Sequence, residues 1–165
     1  LDQEFRLGWA ALPRQDLQMV PLLHSHGLNE TVTWQWQPTG APARPVAADA
    51  DQALAVYAEA FQLNAQALVA IACGAVRRGH ERAREYAALR RQGGVLIGRH
   101  AAVRQMLART AGVLRSVELL SQQLACSPVA LSHLGAVLAV RAEAHSLLCA
   151  AANESLQVLG GAGSL

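Results

Sequence analysis

"LAVYAEAFQLNAQALVAIACGAVRRGHERAREYAALRRQGG", residues 54–94, carries the clearest periodicity in the chain. From Gln52 to about Gln92 the apolar residues fall at Leu54, Tyr57, Phe61, Leu68, Ile71, Ala75, Ala83 and Tyr86. The steps are mostly three, four or seven, which predicts one long amphipathic helix. Gly93 and Gly94 are expected to end it. Its middle, "ALVAIACGAV", holds small residues that would let another backbone pack closely. Working outward, a second helix is expected from about Arg99 to Ala125, with Val103, Met106, Val113, Val117, Leu120 and Leu124 as its seam. Thr110 interrupts that seam, where its hydroxyl can bond a carbonyl one turn back. Ser127 and Pro128 read as the cap and first residue of a third helix reaching about Val158, with Leu134, Val137, Leu138, Leu147 and Leu148 on its apolar face. Three such helices joined by short turns predict an all-α, up-down bundle with no strand within 52–158. A fourth helix, the commoner solution, would have to follow residue 165.

Residues 1–37 are mixed and irregular. "ETVTWQWQ" (30–37) alternates Val32, Trp34 and Trp36 with Thr31, Thr33 and Gln35, a strand pattern. It has no convincing local partner, and a lone strand is unstable, so it is expected to belong to a sheet that is mostly absent. "QPTGAPARPVAADAD" (37–51) reads as a Pro-rich linker, after which Asp49 or Asp51 can cap a helix. The expected organisation is therefore a segment 1–50 with one strand and a linker, then a helical domain over 51–165.

Composition narrows the function classes. The 165 residues are 52% hydrophobic but only 4% aromatic, which favours helix packing over a sheet sandwich. The net charge of +2 is too small to imply a polyanionic partner, and every basic residue is Arg. The arginines of "AVRRGHERAREYAALRR" (75–91) spread around much of their helix with aromatic interleaving nearly absent, against a nucleic-acid face. Cys73, Cys126 and Cys149 match no metal pattern and read as buried free thiols of a reducing compartment, so a cytoplasmic location is expected. No apolar run is uninterrupted enough to suggest a membrane span. Beginning at Leu1 rather than Met, the sequence reads as a piece or a processed product.

Few residues outside the helical seams suggest chemistry. His24 and His26 form an H-x-H pair without a third ligand, so no metal site is expected. Glu81, Glu85 and Glu118 have arginines at neighbouring helical positions and read as solvated ion pairs. The strip Ala67, Ala70 and Gly74, with the missing fourth helix, predicts oligomerisation through the bundle, most simply as a dimer.

Phe61, Gly74, Tyr86, Ala87 and Arg90 fall in the pattern "F…G…YA..R"; Arg90 opens "RRQGG", followed by Ile97, His100-Ala101 and Met106-Leu107-Ala108. The chain then carries Arg141 and closes on Q-x-x-G-G-x-G at Gln157, Gly160, Gly161 and Gly163. Over roughly 55–165 this resembles the C-terminal helical domain of the flavin-dependent acyl-CoA dehydrogenases, where the matching stretches read "R-x-x-F-G", "HQ" or "FQ", "LA-x-M", "AK" and "Q-x-x-G-G". The resemblance implies FAD as cofactor, shared with a partner subunit in a dimer or tetramer or with a related subunit, and an acyl-CoA substrate in the complete protein. It marks Arg90, Gln92, His100, Gln157, Gly160 and Gly161 as candidate cofactor-binding positions. An Arg fork suits a pyrophosphate, and a Gly-Gly turn lets backbone amides approach the adenosine end.

The departures are equally specific. Gly93 stands where the family has an aromatic and Ala101 where it has Gln. The family's catalytic Glu follows "G-G-x-G-Y"; here Ser164 replaces the Tyr and the sequence ends at Leu165. The alternative position for the base, on the first helix, is Asn64, which takes no proton at neutral pH, and Ala65 follows it. No catalytic residue is therefore assigned, and this chain alone is not expected to dehydrogenate an acyl-CoA. Three functions follow: part of such an enzyme, supplying bundle, subunit interface and part of the FAD cleft; an inactive assembly module derived from that family; or an unrelated three-helix interaction domain.

Overall fold

The computed structural model describes residues 10–11, 17–21, 34–38, 44–45, 50–127 and 130–161. His24, His26, Pro128, Gly163, Ser164 and Leu165 lie outside the described residues. The chain divides into two compact units, 1–57 and 58–165.

In the first unit, β1 (Ala10–Ala11) pairs antiparallel with β4 (Arg44–Pro45), and β2 (Leu17–Pro21) with β3 (Trp34–Pro38). Leu17 lies opposite Pro38, Met19 opposite Trp36 and Pro21 opposite Trp34. This corrects the expectation of a partnerless strand: the partner is "LQMVP", a five-residue stretch ending in proline, too short to show a clear alternation. The Pro-rich stretch after β3 also contributes a strand, since a proline tolerates an edge position where its missing N–H is not needed.

The second unit follows from small residues at helix contacts. α1 (Ala50–Leu89) runs 40 residues. A hairpin of β5 (Arg91–Gln92) and β6 (Val95–Leu96) and a 3₁₀ turn (Ile97–Arg99) lead into α2 (Ala101–Cys126). A second 3₁₀ turn (Leu131–His133) leads into α3 (Leu134–Leu159). From Ala58 on, the buried stripe of α1 is Ala58, Gln62, Ala65, Val69, Cys73, His80, Ala83 and Ala87. The larger Leu63 and Ile71 point outward, 57% and 62% exposed. Ile71 was expected on the buried face. The alanines replace it there because a contact made of small side chains brings helix axes closer together.

Three apolar layers fix the topology. Ala65 meets Leu124 and Val137; Val69 and Cys73 meet Leu114, Val117, Ala144 and Leu148; Ala83 and Ala87 meet Ile97 and Val158. As α1 numbers rise, α2 numbers fall and α3 numbers rise, so the bundle runs up, down, up, in accord with the expected class. The orphan carbonyls at the end of α2 are met from α1. The Gln62 amide donates to Leu124 O at 3.2 Å and to Ser127 O at 3.1 Å, and Gln66 donates to Leu124 O at 3.1 Å.

Several local expectations change. The turn at 91–96 is a strand pair, so the stretch 52–158 is not strand-free. Gly93 and Gly94, at φ 62° and 82°, form its two-residue turn instead of ending α1. Two consecutive positive φ values define the hairpin turn whose twist matches its strands. Ser127 closes α2, its Oγ donating to Gln123 O at 2.9 Å, and α3 starts only at Leu134. The Thr110 hydroxyl donates across to Ala151 O on α3 at 3.4 Å instead of back along its own helix. Leu138 is half exposed, and of the three free cysteines only Cys73 is buried. By length and mean hydropathy, Asp51–Leu89 and Leu131–Leu159 would both be long and apolar enough to cross a membrane, which corrects the reading of the apolar runs.

Candidate functional site

One end of the bundle is built where three helix ends and the hairpin meet. Ala83, Ala87, Ile97 and Val158 form a buried cluster there, with Tyr86, Val103, Met106, Leu107 and Leu159 packed on it. Above this apolar floor lies an open cleft of about 550 Å³. Its rim includes Arg90, Gln92, His100, Gln157, Gly160 and Gly161. All six sequence-derived candidates therefore come together, from three separate stretches of sequence.

Each is held by a distinct local device. Arg90 follows the last turn of α1, its N–H still donating to Tyr86 O at 2.8 Å while its own carbonyl accepts from Ile97 N–H at 2.8 Å. The guanidinium is exposed and, among the described residues, has no carboxylate partner. Arg91 differs: its Nη1 donates to Gly94 O at 3.2 Å, folding back on the turn. Gln92 precedes the two turn glycines. His100 caps α2 with extended backbone (φ −70°, ψ 133°) and no side-chain capping bond, leaving the imidazole exposed beside the helix N-terminus. Gly160 ends α3 at φ 56°, its N–H donating to the carbonyls of Gln157 and Leu156. That φ requires glycine. Gly161 does not need its missing side chain for packing, since a Cβ there would meet nothing within 4 Å.

The electrostatics favour an anion. From Tyr86 to Val117 the sequence contains five other arginines after Arg90 and no carboxylate. The nearest acid on α3, Glu154, is taken by Arg109 at 2.8 Å. The amide groups of the first turn of α2 add partial positive charge at the same end, and the carbonyl ends of α1 and α3 oppose it, so the arginines carry the preference. Among the described residues no cluster of His, Cys, Asp or Glu could hold a metal. Asn64 is exposed on α1, away from the buried stripe.

Gly98 was not singled out from sequence, yet it lies against Ala87 of α1 in the 3₁₀ turn that carries Ile97 of the apolar floor. A Cβ there would lie 2.9 Å from Ala87 O, so the 3₁₀ turn can rest on α1 only as glycine. The signal was present as a lone Gly between the hairpin and α2. The carboxylate-free run from Tyr86 to Val117 was equally legible.

No curated protein matches this chain. The family model described as the acyl-CoA dehydrogenase C-terminal domain matches residues 53–165. With its three-helix bundle and a match spanning well over half its length, the chain belongs to the acyl-CoA dehydrogenase family.

Proposed function

We propose that the cleft receives the adenosine pyrophosphate of FAD, and that the chain contributes this half-site to a flavin-dependent acyl-CoA dehydrogenase. One observation carries the reading. Six residues from three separate stretches share a cleft; among the described residues one of them, Arg90, has no carboxylate partner, and a Cβ on another, Gly161, would meet nothing within 4 Å. The residues fit the group. Arg90 would fork onto the pyrophosphate, and the backbone at Gly160–Gly161 would allow close approach of the adenosine end. Gln157, Gln92 and His100 would give polar contacts at the rim, while Tyr86, Ile97 and Val103 exclude water from below. Bound flavin supplies the acceptor for a hydride from the acyl chain. The open cleft would be closed by a partner, so a homodimer, a tetramer or a related subunit in the cytoplasm completes the reading, with an acyl-CoA as substrate of the assembled enzyme.

A second reading, an inactive assembly module, is favoured by Gly93 and Ala101 at positions where the resemblance expects larger side chains, and by Asn64 at one place for a base. A general base contributes about 10²–10⁴ in rate, so its loss would slow turnover by that factor. The protein purified with its native partners separates the two. A flavin absorption band that bleaches on adding acyl-CoA supports the enzyme; a colourless protein that still assembles supports the module.

A further inference from the structure

His80 lies on α1 between Cys73 of the middle layer and Ala83 of the layer beneath the cleft. It is buried, and its Nδ1 is the one buried side-chain nitrogen or oxygen among the described residues with no hydrogen-bond partner. Neither the packing layers nor the cleft uses this nitrogen. On its own helix the charged neighbours are Arg77, one turn back and paired with Glu118, Arg84, one turn on, and Glu81, which is exposed and within 3.5 Å of Arg78. Over the same interval α2 and α3 supply Arg109, Cys149 and Glu154; Cys149 is exposed, and Arg109 and Glu154 hold each other at 2.8 Å. Among the described residues no carboxylate hydrogen-bonds the buried Nδ1.

We propose that His80 is an acid-sensitive latch: as the neutral ring it lets the cleft-bearing end of the bundle close, and its protonation loosens that end and opens the cleft floor. A charge placed at an enclosed site with no acceptor for its new N–H disfavours the packed state. Burial, reinforced by Arg84 and offset by Glu81, holds the imidazole below its ordinary value of 6.5. The unfolded chain therefore takes up this proton first as pH falls. The latch is fully closed above about pH 6.5 and is lost progressively as pH drops from there toward the folded-state value. The inference is independent of what the cleft binds.

Melting temperatures of the full chain between pH 7.5 and 5.5 test it, for the wild type, His80→Leu and His80→Gln. The wild type should lose at least about 3 °C more over that range than either variant that folds. Amides of 97–106 should lose hydrogen-exchange protection before those around Leu124. The Cε1–H resonance of His80 in the wild type decides even if neither variant folds: a midpoint below the ordinary value is expected. A midpoint at or above it, or parallel melting profiles in wild type and variants, would overturn the latch.

Discussion

Two glycines in the same end of the molecule act for opposite reasons. Gly98 is bare because Ala87 O stands 2.9 Å from where its Cβ would be. Its conformation needs no special φ. Gly98→Ala should therefore destabilise by about 1–3 kcal/mol, the usual cost of overpacking against a backbone that cannot retreat. Denaturant unfolding with an unchanged m-value checks this; an unaffected midpoint would mean that the 3₁₀ turn does not rest on α1. Gly160 has open space around it but a φ of 56°. Arg90 and Arg91 make a similar contrast between neighbours: one folds onto its own turn, the other is left facing the cleft. Sequence pattern could point at Arg90 but could not separate the two, because the distinction depends on which guanidinium the hairpin turns inward.

At the scale of elements, the helices were legible and their ends were not. Apolar periodicity located α1, α2 and α3, yet it chose Ile71 for the buried face and passed over Ala58, Ala65 and Ala87, since large side chains dominate any hydrophobic pattern. Gly93 and Gly94 were read as a helix stop. They are instead the two turn residues of a hairpin at φ 62° and 82°. A stop signal and a hairpin turn use the same residue type for the same left-handed freedom, so sequence alone does not choose between them. The same substitution should then have opposite signs in different elements. Gly94→Ala should cost roughly 1–2 kcal/mol, as a left-handed L-residue does. Gly112→Ala, in the interior of α2 with nothing within 4 Å of its new Cβ, should gain roughly 0.5–1 kcal/mol. Thermal melts of the two variants, shifting in opposite directions, check the assignment.

For the whole molecule, the bundle class was readable from apolar spacing, and the six cleft residues were marked by the resemblance of short motifs to the family, both of which survive without coordinates. Their convergence was not readable, since it depends on α1 ending, α2 starting and α3 ending at one level of an up-down-up bundle. The most direct measurement is an equilibrium titration of FAD fluorescence with the wild-type protein and with Arg90→Ala, each purified with its native partners. A charge-assisted hydrogen bond to an anion contributes about 1.5–3 kcal/mol, so saturable binding by the wild type should weaken by at least about tenfold in the variant. Absence of saturable binding, or equal affinity in the two proteins, would contradict the reading of the cleft as a pyrophosphate site.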